Sequence, residues 1–241
     1  MLRVKGTNDF IDMTLYTFLL DQIKKHLSVY CFNEIETPII EHTELFKRTL
    51  GLHTDVVNKE MFIIQQHGQH SESDSMCLRP ELTASMVRAF IENGIQTTPW
   101  KVFTFGSCFR YERPQKGRYR QFHQVSMEII GSSSVNQDVQ LIKMLDRLFH
   151  EVLKFNDYAL LINSLGCLPD RIKYREKLKA FLDEQTGLCS DCMERKEKNI
   201  MRVFDCKVEA DQEKYKKAPH IIDHLCGQCD QEWKQLQGDL E

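Results

Sequence analysis

The stretch FRYERPQKGRYRQFHQ, residues 109–124, sets five cations (Arg110, Arg113, Lys116, Arg118 and Arg120) against one carboxylate, Glu112, in a chain whose net charge is −3. Such a local excess needs an anion, and three partners have to be weighed: a nucleic-acid backbone, a nucleotide phosphate, or water alone. Four of the five are arginines, whose planar fork grips phosphate or carboxylate in a bidentate way that lysine cannot reproduce. The flanking runs, WKVFTFGSCFRYE and QFHQVSMEIIG, alternate as strands do, so Gln124, Ser126 and Glu128 share one face. On the first run Thr104, Gly106, Cys108 and Arg110 line up together, opposite Phe103, Phe105 and Phe109. A solvated antiparallel sheet would show the same alternation. Here the polar row holds a glycine, which admits a close approach to the backbone, and adjoins the basic loop. Glu128 suits an ammonium group, and the arginines suit phosphate. A floor offering both fits a zwitterion beside a phosphate, such as an amino acid next to ATP.

A second constellation lies near the C-terminal end. CSDC (Cys189, Cys192) and CGQC (Cys226, Cys229) each offer two thiolates, with Cys206 as a spare. Together the pairs would complete one tetrahedral zinc site, although their separation exceeds that of a compact ribbon. Four reduced cysteines on helices satisfy the same pattern.

Several elements must position these groups. Between Thr14 and Tyr30 the residues Leu15, Phe18, Leu19, Ile23, Leu27 and Tyr30 recur every three or four positions, which predicts a helix with one buried stripe. NEIETPII follows as a strand, with Ile35, Thr37 and Ile39 facing inward. Pro38 cannot donate to a ladder, which places that strand at a sheet edge or a subunit boundary. EMFIIQQ and SMCLRPE flank the polar HGQHSESD as a hairpin. A helix is expected from Leu82 to Asn93, stopped by Gly94. Another spans Asp138–Phe155, and YALLIN reads as a further buried strand. Beyond Leu165 the chain is charged and helical, broken mainly at TGLC and APH, so a core of 1–165 and a helical appendage of 166–241 are expected.

Composition narrows the classes. Hydrophobic residues at 41% and charged residues at 28% suit a globular protein with a buried core. No apolar run approaches the ~20 residues of a membrane span. The start, MLRVKGTNDF, lacks an apolar core and a cleavage site, which points to the cytoplasm and to reduced thiols. The near-neutral balance confines any polyanion contact to a local patch.

The basic hairpin followed by MEIIG resembles the second signature motif of class II aminoacyl-tRNA synthetases, in the histidyl form. KGTND, ETPIIEHTELF, KEMF and LRPELTASMVRAFIENG are similar to segments of that family in the same order. The resemblance covers essentially the whole chain. It implies an α+β fold, an antiparallel sheet flanked by helices with a helical insertion at the C-terminal end, and a homodimer joined around Pro38. The implied reaction joins L-histidine to ATP, supplied with Mg2+, as histidyl-adenylate, and then transfers the histidyl group to tRNA-His. Position by position, the resemblance makes Arg110 the arginine on the α-phosphate. It sets Glu81, Leu82 and Thr83 near the histidine amino group and Gln124 and Glu128 around the amino acid. Glu112, Arg113, Lys116, Arg118 and Arg120 become the loop over ATP and the tRNA end.

Leu82 and Ser126 stand where the family usually has glycine, adding side chain near the ligand. The family's second histidine-binding segment, its third motif and its anticodon-binding domain have no counterpart in these 241 residues. The expectation is an N-terminal portion of a longer synthetase, slow on its own and dependent on Arg110 for any residual activation. A regulatory subunit of ATP phosphoribosyltransferase, a relative without aminoacylation, is the alternative; the intact ERPQKGRYRQFHQ speaks against it. A zinc-organised nucleic-acid-binding module is a third reading, resting on the cysteines alone.

Overall fold

The structure, a computed structural model, describes residues 2–50, 56–65 and 75–241. The chain divides into two compact units. The first comprises Met1–Gln137 with Met144–Asn156, the second Asp138–Lys143 with Asp157–Glu241.

The first unit opens with helix α1 (Thr14–Val29), the short strands β1 (Asn33–Glu34) and β2 (Ile40–His42), and helix α2 (Thr43–Leu50). Strands β3 (Phe62–Ile64) and β4 (Met76–Leu78) precede helix α3 (Thr83–Glu92). Then come the long strands β5 (Trp100–Phe109) and β6 (Gln121–Ile130) and helix α4 (Val135–Arg147). β5 and β6 pair antiparallel over ten residues, with Gly106 opposite Gln124, Thr104 opposite Ser126 and Val102 opposite Glu128. This pairing keeps together the two rows that the alternation predicts to share a face. The expected antiparallel sheet is, however, two sheets: β1-β5-β6, with β1 parallel to β5, and a fully antiparallel β2-β4-β3. The β3–β4 hairpin forms as expected, and its HGQHSESD turn lies outside the described residues.

Three further expectations are corrected. NEIETPII is not one strand: β1 and β2 flank a break at Pro38, Thr37 alone turns fully inward, and Ile39 is exposed. Pro38 has no N–H for a ladder, and Arg79 instead takes the carbonyls of Thr37 and Pro38. The apolar stripe of α1 is buried only at its C-terminal end. Leu27 is inaccessible, whereas Leu15 is 67% and Phe18 56% exposed. YALLIN forms no strand; it finds no sheet partner among the described residues, and Leu161 is 89% exposed.

α3 runs as expected and ends at Gly94, in the left-handed region at φ +59°. It buries Ala84, Ser85 and Met86, and a small core gathers Phe46, Cys77 and Ala84 with Leu45 and Met61 against it. α4 starts under a Ser134 cap, whose hydroxyl accepts the Asn136 N–H, and widens into a π turn at Leu148–Val152.

The second unit is helical, as its composition predicts: α5 (Leu168–Asp183), α6 (Ser190–Lys198), α7 (Glu209–Tyr215) and α8 (Gly227–Leu240), with 3-10 turns at Ile200–Asp205 and Ile221–His224. α5 sends Tyr174, Leu178 and Leu182, one turn apart, into a core with Ile200, Val203, Tyr215 and Ile221; Cys192 and Cys206 are part of that core.

Candidate active site

The polar face of the β5–β6 hairpin is covered, not solvated. Thr104 is 1% exposed, and Val102, Cys108 and Ser126 are buried with it. The opposite face is covered as well, in part by α1, whose Lys24 ammonium sits 4.6 Å from the centre of the Phe105 ring. What approaches Gly106 is the protein itself: a Cβ there would collide with the guanidinium of Arg79. Arg79, 3% exposed, donates from Nε to Ser107 O at 3.0 Å and from Nη1 to Thr37 O at 2.7 Å. It thereby bolts the Pro38 segment to β5. Sequence reasoning missed it, although it stands in the quoted SMCLRPE. A cation directly before Pro-Glu, in line with a glycine of the floor, was the available signal.

Around this bolt the predicted residues converge. Glu81 caps α3 with both carboxylate oxygens, accepting Thr83 N–H at 2.6 Å and Ala84 N–H at 2.9 Å. Thr83 donates its hydroxyl to Glu128 Oε1 at 2.8 Å. Burial pushes the Glu128 carboxyl above its ordinary range, the Thr83 bond opposes the shift, and the Glu81 charge adds to it. Two carboxylates meet at one residue, Glu81 on the Thr83 N–H and Glu128 on its hydroxyl, and make a negative corner suited to an ammonium. Gln124 donates to the Ser126 hydroxyl at 2.8 Å, so the extra side chain at Ser126 is used within the floor. Leu82 is fully buried in the core. Burial also holds the Cys108 thiol up at about 11, against the pull of Arg79 and Arg110, so it is no nucleophile at neutral pH.

Arg110 continues the ladder past β5, its N–H bonding Arg120 O at 2.9 Å. Its Nε donates to Pro80 O at 3.0 Å, and its guanidinium stacks 5.1 Å from the Phe122 ring centre. Only Nε is committed by that bond, which leaves the paired Nη groups to an anion. Farther out, Arg118 pairs with Glu112 at 3.3 Å, and Arg120 stacks 4.2 Å over Tyr111 while its N–H reaches Gly6 O. Arg113, Lys116 and Arg118 are exposed on a tip closed by reciprocal Gln115 and Arg118 backbone bonds. Beside that tip a cleft of about 750 Å³ opens between Pro114–Lys116, Arg118 and Tyr119 and the N-terminal segment Leu2–Asp9. Neither Arg110 nor the carboxylate corner lines it.

The model of the tRNA synthetase class II core domain, the group serving G, H, P, S and T, matches residues 62–229. The chain belongs to this class II family. Among curated relatives of the class II chain, the histidine--tRNA ligase of Fervidobacterium nodosum is 45% identical over 99% of this chain and 56% of its own length. That of Thermosipho melanesiensis is 43% identical over 99% and 57%. The chain spans about half the length of the curated relatives it matches. Apo histidyl-tRNA synthetase of S. aureus superposes with a TM-score of 0.73 at 27% identity, over 100% of this chain and 54% of that one. An ATP phosphoribosyltransferase regulatory subunit/histidyl-tRNA synthetase from Bacillus halodurans gives 0.59 at 16% identity, over 100% and 65%, which shows the shared fold alone. The class II fold expected from the sequence is the fold observed.

The cysteines of this class II chain are arranged otherwise than expected. Cys189, Cys192, Cys226 and Cys229 do not meet in one site. Cys189 and Cys192 gather with Cys206 and Asp211, whereas Cys226 and Cys229 gather with Cys167 and Asp170. Cys206, the spare, is thus a full member of one cluster, and Cys167 was overlooked. The clue was its spacing: Cys167-Leu-Pro-Asp170 repeats the Cys-x-x-Cys interval with a carboxylate in the second position.

Proposed function

We propose that this chain carries the activating chemistry of a histidine--tRNA ligase. L-histidine and ATP, entering with Mg2+, give histidyl-adenylate and pyrophosphate, and tRNA-His then accepts the histidyl group. In the first step a carboxylate oxygen of histidine attacks the α-phosphorus, and the bond to the pyrophosphate oxygen breaks with its electron pair. Negative charge spreads over the phosphate oxygens in the transition state, so a fixed guanidinium there lowers the barrier. Arg110 is the residue for this, because Pro80 O and the Phe122 ring fix it while its Nη groups take no hydrogen bond among the described residues. That anchored arginine beside the Glu81–Thr83–Glu128 corner is the observation that carries the reading. The corner takes the histidine ammonium, and Gln124 borders the amino acid. Glu112, Arg113, Lys116, Arg118 and Arg120 meet the outer phosphates and the tRNA end, and the cleft at the loop tip suits the latter.

The core with its first and second motifs is assigned to residues 1–165, and the helical insertion to 166–241. A homodimer is inferred from the exposed Leu15, Phe18, Ile39 and Ile40, which belong to the helix and the Pro38 segment expected at the interface. The described helices include none long and apolar enough to cross a membrane, and a cytoplasmic setting is part of the proposal. Zinc in the second unit would be structural, with no part in adenylation. Histidine-dependent pyrophosphate exchange, measured on this chain and on Arg110→Ala, tests the central claim. The substitution is expected to cost ~10²–10³ in rate; exchange indifferent to it would show the chemistry wrongly assigned.

A further inference from the structure

The two cysteine clusters share one plan, although they are assembled from the chain in opposite order. In each, a Cys-x-x-Cys pair opens a helix: Cys189 is the N-cap of α6, with Cys192 in its first turn, and Cys226 is the N-cap of α8, with Cys229 in its first turn. In each, an aspartate from elsewhere accepts the backbone N–H of the pair's first cysteine. Cys189 N donates to Asp211 Oδ2 at 3.0 Å, and Cys226 N donates to Asp170 Oδ1 at 2.9 Å. In each, a third cysteine completes the set. Cys206 follows the 3-10 turn, and Cys167 caps α5, its own N–H donating to Asp170 Oδ2 at 3.2 Å. The four candidate ligand atoms of each cluster all lie within 4.8 Å of one another.

The distances match a particular coordination. Zinc at ~2.3 Å from sulfur and ~2.1 Å from oxygen, in a tetrahedron, sets sulfur–sulfur edges near 3.8 Å and sulfur–oxygen edges near 3.6 Å. Cys189 Sγ lies 3.8 Å from Cys206 Sγ, and Cys206 Sγ lies 3.6 Å from Asp211 Oδ2. A disulfide would need about 2.05 Å, and none of the nine cysteines is in one.

Burial sharpens the case for the Cys189 cluster. Cys192 is inaccessible and Asp211 is 1% exposed, so an ionised carboxylate is packed among thiols that are weak donors. The Tyr215 hydroxyl, on a residue 8% exposed, is buried against the Cys192 thiol and has no better hydrogen-bond partner among the described residues. A neutral thiol is a poor acceptor for it, whereas a metal-bound thiolate is a good one. Val208 N–H already points at Cys206 Sγ, at 3.4 Å. Lys214 stands 3.6 Å from Asp211 Oδ1 and ties down the carbonyls of Thr186 and Gly187, the turn leading into Cys189. Three thiolates and a carboxylate around a dication leave two excess negative charges, one of which that ammonium offsets. In the other cluster, Gly166 at φ +60° leaves room that Asp170 fills; a Cβ there would come within 2.8 Å of the aspartate side chain.

We propose that the second unit binds two zinc ions in nested sites, each of three cysteines and one aspartate: an inner site of Cys189, Cys192, Cys206 and Asp211, and an outer site of Cys167, Cys226, Cys229 and Asp170. This rests on the reading that these cysteines take zinc, and adds the number, composition and nesting of the sites. On binding, each zinc displaces three thiol protons to solvent, with no electron transferred. The inner site is closed and holds the core of the unit. The outer site joins the start of α5 to the start of α8.

The test is zinc stoichiometry on the full chain, purified without chelator from zinc-supplied medium, with X-ray absorption at the zinc edge. Two zinc per chain are expected, each with three sulfurs at ~2.3 Å and one oxygen at ~2.0–2.2 Å. Cys226→Ser with Cys229→Ser should halve the content, Cys206→Ser should halve it through the other site, and Cys31→Ser should leave two. Because Cys206→Ser could unfold the unit, cobalt titration of the unmutated apo chain provides a second reading. Two equivalents with thiolate-to-cobalt absorption are expected. One zinc, lost to either set of serines alike, would overturn the nested sites while leaving zinc binding intact. Metal content near zero, with no cobalt–thiolate absorption, would overturn both.

Discussion

The two units bury charge to opposite ends. In the first, Arg79 is satisfied by carbonyl groups and Glu81 by the N–H groups of α3, and these fixed groups stand beside others, Arg110 and Glu128, whose remaining capacity is assigned to substrate in the proposed function. In the second, Asp170 and Asp211 turn inward to thiols and cysteine N–H groups, so polarity is consumed in holding the unit together.

The comparison breaks first, and most visibly, at Arg110. Arg110→Ala should cut pyrophosphate exchange by ~10²–10³ while the melting temperature and metal content stay put. A stability loss matching the rate loss would mean that Arg110 is a structural brace like Arg79. Leu178→Ala, in the core of the second unit, should do the reverse: about 2–5 kcal/mol of stability in denaturant melts, with Arg110-dependent exchange retained at low temperature. Arg79→Met lies between them. It strands the buried carbonyl of Thr37 at ~1–3 kcal/mol, frees the half-buried one of Ser107, and disturbs Gly106 and the floor, so unfolding and the KM for histidine should both worsen.

The smallest effect concerns Glu128. Its folded carboxyl is raised above the unfolded value, so its contribution to stability is present at low pH and is lost as pH rises through the folded value. Glu128→Gln should therefore raise the melting temperature by a few degrees at pH 8, lose that advantage near pH 4, and weaken histidine binding. A pH-independent gain would assign the effect to packing.

Local pattern explains what the sequence revealed. Period-two alternation carried the faces of β5 and β6, and the spacing from Leu82 to Asn93 carried α3, because each depends on neighbours a few residues away. The failures are non-local. Pro38 interrupts its strand because a guanidinium from Arg79 claims the carbonyls there. Leu15 and Phe18 have the same spacing as Leu27 and a different fate, since periodicity says which side of a helix is apolar and not what covers it. The two Cys-x-x-Cys pairs look like mates because they are alike, whereas each in fact gathers with an aspartate and a third cysteine that no spacing rule links to it. Arg110 and Glu128 were singled out by type and place on a strand, and they stand at the proposed site; Arg79, which holds their floor together, was not, because its partners are carbonyls that every residue has.

The nesting of the clusters also sets an order in time. Ribosomes deliver the chain from its N-terminus, and domains can begin to fold as they emerge. Cys189, Cys192, Cys206 and Asp211 are all made before Cys226, so the inner group can close on a half-finished unit whose core it shares. Cys167 and Asp170 are made first of all and must wait longest, and closure of the inner group takes its three thiols out of competition for them. The last pair to emerge, Cys226 and Cys229, then latches the beginning of the unit to its end.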